Sequence, residues 1–323
     1  PAWSSASRRE CARAHRRVSP ASSEVPMRTP LSFLDDILEI LFLYDLHFFG
    51  GMTPEDTLAV ETHGDAYVLF TAPHGVYVRR ETAELDFASG GKVFATHVPE
   101  KWTTFLALAF ASEASGTSMT WTETERERSK TTRTFNPHSV DPNCVAYDTI
   151  NNYNWGAALR LFGEESEGEG DKVTDGFETK TKQKWLHVDV HGRRDPNVSH
   201  ESLGRGDVDI GTHALSARYP ELAHKLTKAV GLRLRWVFDE WADDDDEDTS
   251  TIEDEEKTSK NNFRVNESPI LRGARHDGFL TLAQQGVTFG LVSIQLELSL
   301  RLRLVLKNDI SKAKQFAHAL VEA

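Results

Sequence analysis

Cysteine is nearly absent from this chain: Cys11 and Cys144 are the only two in 323 residues. Two thiols cannot build a disulfide framework, so the fold must rest on its core, and a reducing compartment is the default. Long apolar runs are also missing. No stretch approaches the ~20 apolar residues of a membrane span. The nearest, "ILEILFLYDLHFF", contains Glu39 and Asp45 and reads as a buried helix. Positive charge is in deficit, with 37 Lys and Arg against 50 Asp and Glu and a net charge of −13. With no basic surplus to neutralise phosphates, the chain does not fit a nucleic-acid binder. The expected partners therefore include neither nucleic acid nor membrane.

What is present is ordinary for a globular protein: 39% hydrophobic and 27% charged residues, over a length able to bury a sizeable core. Two segments stand apart. The first 26 residues are rich in Ser, Arg and Ala. They have the composition of an organelle transit peptide, or else precede a true start at Met27. Residues 1–30 are accordingly read as a disordered N-terminal segment or transit peptide, and 31–323 as a single domain. The expected location is the cytoplasm, or an organelle if the transit reading holds. The second segment is "DDDDEDTSTIEDEE", Asp243 to Glu256. Such a block repels itself and predicts a disordered acidic loop over about 240–261.

Along the chain, Leu34, Ile37, Leu38 and Leu41 recur at helical spacing and predict a helix over Ser32 to His47. An opening strand is expected at Ala66 to Thr71, and helices at Trp102 to Ser112 and Asn152 to Phe162. The polar, Gly-punctuated "EESEGEGDKVTDGFETKTKQ" reads as a surface loop and "KWLHVDV" as a strand. Leu215, Tyr219, Leu222, Leu226 and Val230 mark a helix, followed by the alternating "LRLRWVF" as a strand. "VTFGLVSIQLEL" gives a long final strand, "LSLRLRLVLK" fits either period, and "ISKAKQFAHALVEA" closes the chain as a helix. Strands alternating with helices imply a three-layer α/β/α fold around a mixed, mostly parallel sheet.

Two stretches carry chemistry. "YVLFTAPHGVYVRRE" stops a strand on Pro73-His74-Gly75, and "KWLHVDVHGRRDP" ends another on His191-Gly192. Parallel α/β sheets place ligands at the carboxyl ends of strands. Two imidazoles delivered there can converge on one metal ion, and His2Glu is an established catalytic zinc set. His187 and Asp189 share a strand face with His191 by period two. Either is placed to hydrogen-bond a ligating ring.

"TAPHG", "HVDVHG", "DVDIGTHAL" and "VSIQLELSLRLR", in that order over about residues 66 to 306, resemble the N-formylglutamate amidohydrolase-like zinc hydrolases, relatives of the zinc carboxypeptidases. The resemblance implies a phosphorylase/hydrolase-like fold and a zinc (Zn2+) cofactor that activates water against an amide carbonyl. The implied substrate is a small acidic N-acyl amino acid or a peptide end. His74 is then the first ligand and His191 the last. "THVPEKWTTFLALAFA" is similar to the family's segment before a helix and points to Glu100 as the intervening ligand, with Glu81 and Glu84 as alternatives. A helix N-terminus would favour a carboxylate at Glu100. Relatives with a shorter spacing would put the ligand near Arg79, which does not satisfy the pattern. Glu297, on a strand face with Leu291, Ser293 and Gln295, is the implied general base, or else a salt-bridge partner of Arg301. "RTFNPHSVDPN" resembles the family's Arg/Asn segment, pointing to Arg133 and Asn143 for substrate or oxyanion, with Arg272 and Arg275 as alternatives. His213 replaces a small residue in "DIGTHAL". With the Arg79 departure, it leaves room for a second reading, a zinc-hydrolase fold without catalysis that serves in binding or structure.

Overall fold

The computed structural model describes residues 57–85, 92–136, 138–167, 184–195, 206–246, 263–267, 273–275 and 278–323. The expected helix over 32–47, the N-terminal segment with Cys11, most of the 164–183 loop, residues 247–261 and Arg272 lie outside them.

Seven strands form one mixed sheet in the order β1-β5-β2-β7-β11-β8-β9. They are β1 (Leu58–Thr62), β2 (Val68–Thr71), β5 (Thr117–Trp121), β7 (Leu186–Gly192), β8 (Val208–Gly211), β9 (Val265–Glu267) and β11 (Val292–Leu298). The neighbours β5/β2, β2/β7, β7/β11 and β8/β9 run parallel, while β1/β5 and β11/β8 are antiparallel. A hairpin of β3 (Val78–Leu85) and β4 (Lys92–His97), and a short pair of β6 (Val145–Ala146) and β10 (Phe279–Leu280), lie outside this sheet.

Helices cover both faces, as expected of three layers. One face packs Val68, Phe70, Val188, Val190, Ile294 and Leu296 against α1 (Thr103–Glu113), α5 (Pro220–Asp246), α7 (Leu300–Asn308) and α8 (Ile310–Val321). The other packs Leu69, Met119 and Trp121 against α3 (Asn154–Glu167), with α4 (His213–Ser216) and α6 (Leu282–Thr288) beside it. α2 (Glu123–Thr132) follows β5. Each central strand therefore has both faces buried. Among the described residues, no helix is long and apolar enough to cross a membrane.

Four elements differ from expectation. β1 precedes the strand expected to open the sheet, and β2 starts at Val68 rather than Ala66. "LRLRWVF" is not a strand: α5 runs through it from Pro220 to Asp246. Around that stretch Val230, Leu234, Phe238 and Trp241 are buried, at helical spacing, whereas Leu232 and Trp236 are 42% and 53% exposed. The Leu–Arg alternation misled because both are strong helix formers and packing selects the period. α5 also absorbs Glu240 to Asp246, so the acidic segment begins as helix, with buried Trp241 donating to Gln315 Oε1 at 2.5 Å. "VTFGLVSIQLEL" is divided: α6 ends at Thr288, Gly290 turns the chain at φ 92°, and β11 begins at Val292. "LSLRLRLVLK" resolves to helix α7, capped by Ser299 Oγ accepting from Leu302 N–H.

Candidate metal centre

The site grows from one polar face of the sheet. Along β7, Val188 and Val190 enter the α5–α8 core, which turns His187, Asp189 and His191 to the opposite face. β11 matches it residue for residue: Ser293 lies beside His187, Gln295 beside Asp189 and Glu297 beside His191. β2 supplies Thr71 next to Asp189. All seven of these polar residues are buried.

His74 arrives on the turn after β2. Glu100 N–H donates to His74 carbonyl oxygen at 2.8 Å, so backbone ties the two together. Gly75 keeps the approach close: a Cβ would fall 1.9 Å from Thr104 Oγ1 in the first turn of α1, so that side chain would have to turn away. His74, Glu100 and His191 each offer a ligand atom, and these lie within 4.8 Å of one another. His74 Nδ1 is 2.9 Å from Glu100 Oε1, and His191 Nδ1 is 3.4 Å from Glu100 Oε2. Both imidazoles thus turn Nδ1 to the same carboxylate. Their Nε2 atoms face aspartates: Asp141 Oδ1 at 3.0 Å from His74, and Asp189 Oδ2 at 2.9 Å from His191. Asp141 is held by Arg80 Nε at 2.6 Å, and Asp189 accepts from Thr71 Oγ1 at 2.9 Å.

The electrostatics follow from three buried carboxylates, Asp141, Asp189 and Glu297, and the half-buried Glu100, around two imidazoles. Burial alone would push the His74 pKa down, but Asp141 and Glu100 raise it to about 9. His191 is likewise raised well above its usual value, by Asp189 and Glu100 against the cost of burial. Burial would raise Glu100, yet the two histidines hold it well below the carboxylate range. Burial raises Glu297, with Glu100 adding to it and His191 opposing. The carboxylates around the two rings therefore favour positive charge at this point. Two imidazole nitrogens and a carboxylate, each ring buttressed by an aspartate, fit a zinc ion in donor type and number.

Of the three candidate glutamates, Glu100 is the one brought to the histidines. Its carboxylate is not held by a helix N-terminus, as expected. α1 begins at Thr103, and Glu100 Oε2 instead accepts from Gly192 N–H at 2.7 Å. Glu81 and Glu84 lie on β3, and Arg79 packs its guanidinium over Phe94. Asp189 is the residue that orients His191. His187 has its nitrogens at Thr71 and Ser293, 3.0 Å each, and burial lowers its pKa to about 4. Glu297 accepts from Gln295 Nε2 at 2.6 Å, while Arg301 pairs with Asp207. Arg133 lines the same cleft as Glu100. Asn143 lies on the far side of His191, its Nδ2 3.5 Å from Nε2 and its Oδ1 accepting from Leu282 N–H. Arg275 is bound through its backbone to Gln284 of α6, and His213 opens α4 beside a second cleft.

Asp141, Arg80, His97 and Arg303 were not foreseen. His97 Nε2 is 3.2 Å from Glu100 Oε1, and its ring centroid is 4.0 Å from that of His74. Arg303 is buried under Gly192 and donates to the carbonyls of Lys101 and Arg193, joining the segments that carry Glu100 and His191. The "LRLR" repeat gave no sign of which arginine turns inward. Asp141 sits in the quoted "SVDPN", where only the approach of β3 brings it to His74. No protein-family model, curated protein or solved structure matches this chain. The amidohydrolase resemblance thus rests on the four quoted motifs.

Proposed function

We propose that this protein is a zinc-dependent hydrolase that cleaves the amide bond of an N-acyl amino acid or peptide end, of the N-formylglutamate amidohydrolase type. The observation that carries the reading is the convergence of His74 Nδ1, His191 Nδ1 and the Glu100 carboxylate, with Glu297 next to His191. In this reading those three residues hold the metal, and Asp141 and Asp189 fix which ring nitrogens face it. Zinc, when bound, supplies Lewis acidity toward an amide carbonyl and toward water. Glu297 accepts the proton of the attacking water and returns it to the leaving amine nitrogen. Its burial, which raises its proton affinity, suits that exchange. Arg133, in the cleft beside Glu100, offers a guanidinium to a substrate carboxylate or to the oxyanion.

The test measures zinc content, melting temperature and turnover of N-acyl amino acids on one preparation each of the parent, Glu297→Gln and His74→Ala/His191→Ala proteins. The parent is expected to hold one zinc per chain, and the double variant none. Glu297→Gln is expected to keep zinc and fold while losing about 10²–10⁴-fold in turnover. Full zinc occupancy in the double variant would move the metal elsewhere. A zinc-replete parent without turnover would leave a binding protein on a hydrolase-like site.

A further inference from the structure

We propose that the ligand of this site carries, besides a carboxylate, a bulky apolar or aromatic group that occupies the cleft opening beside Glu100. The inference rests on the hydrolase reading for its placement at the metal, but it concerns a different part of the molecule. The cleft measures about 750 Å³ and runs from Gly75 and Glu100 across the outer side of α1 toward α2. A formyl group would leave nearly all of it to water. A volume of this order suits a ligand several times larger.

The chemistry of the walls points the same way. Val98, Trp102 and Phe105 line it and are 60%, 37% and 40% exposed, an apolar surface next to a buried ionic cluster. Trp102 is held at φ 73°, a left-handed conformation that a bulky residue rarely adopts. Its ring lies beside the cleft, with Lys307 Nζ 4.5 Å from its centroid. Thr104 Oγ1 is buried in the same wall with no hydrogen-bond partner. Cations stand around the apolar patch. Lys130 is tied to Glu127, and Arg126 donates to Trp121 carbonyl oxygen. Among the described residues, Lys101 and Arg133 have no carboxylate partner. On a chain of net charge −13, two unpaired cations beside exposed aromatic rings select an anion with an apolar body.

The experiment is a binding series on the full-length, zinc-loaded protein by calorimetry, with N-formyl-, N-acetyl-, N-octanoyl- and N-benzoylglutamate, and benzamide as the probe lacking a carboxylate. N-Benzoyl- and N-octanoylglutamate are expected to bind about tenfold or more tightly than the formyl compound, and benzamide much more weakly than benzoylglutamate. Phe105→Ala should erase most of the acyl preference and Phe105→Tyr should keep it, since the exposed ring can change without unfolding the chain. Arg133→Ala should weaken all four carboxylates alike. Equal affinity across the acyl series, or a preference that survives in Phe105→Ala, would overturn the inference. Turnover is read separately. Graded binding without hydrolysis sinks the hydrolase reading alone, while hydrolysis of N-formylglutamate with no acyl preference sinks this one alone.

Discussion

At the scale of the residue, the aspartates behind the two histidines matter as much as the histidines themselves. Each imidazole presents Nδ1 to Glu100 only because its other nitrogen is claimed, by Asp141 for His74 and by Asp189 for His191. Asp141 in turn is neutralised by Arg80, so a second cation stabilises it without competing for Nδ1. Asp141→Asn keeps the size of the side chain but removes its charge. It is expected to weaken zinc affinity about 10–100-fold, measured by competition with a chelating dye. Unchanged affinity would show that His74 is oriented by packing alone. Asp189 was visible from the alternation of "HVDVHG". Asp141 was not, because a residue 67 positions from its partner meets it only through the fold.

Among the elements, β7 and β11 do most to build the site. Parallel pairing in register puts Glu297 and His191 side by side on one polar face whose reverse is solid core. α5 shows the opposite lesson, since its sequence satisfies two periods at once. The helical geometry makes a discriminating forecast. Leu234→Ala, at a buried position, is expected to cost about 2–5 kcal/mol. Leu232→Ala, at a position 42% exposed, should cost under about 1 kcal/mol by the same reasoning. In a strand, the two would share a face and cost alike. Denaturant unfolding of both variants decides between them.

For the whole molecule, the buried histidines set opposing pH dependences. His74 and His191 have folded pKa values raised above the unfolded 6.5, His74 to about 9. In the metal-free protein their contribution is fully present below pH 6.5 and is lost as pH rises through about 9. His187, lowered to about 4, works the other way. Its neutral form contributes stability above pH 6.5, lost as pH falls toward 4, on the order of 3 kcal/mol. The melting temperature of the metal-free protein should therefore fall on both sides of near-neutral pH. Zinc needs both imidazoles unprotonated, so its stabilising effect should grow between pH 6.5 and 9. A zinc-induced shift in melting temperature that stays flat across that window would show that the metal does not displace those protons.

The sequence by itself determined the layered α/β class, because strand and helix periods alternate along the chain. It also marked both histidines of the cluster, because Pro-His-Gly and His-Gly end strands where a parallel sheet presents its ligands. Asp189 followed from period two, and Glu297 from the "VSIQLEL" motif of the resemblance together with its strand face. The tertiary structure decided the rest. It resolved the two periods of "LRLRWVF" by burying Leu234 and Phe238 and leaving Trp236 exposed. It chose Glu100 over Glu81 and Glu84 by joining its backbone to His74 and its carboxylate to Gly192. It also brought Asp141 and Arg303 to the site from distant segments. The physical reason is the same in each case: local pattern records which face a residue prefers, whereas partners far apart in the chain are chosen only when buried charges must find one another.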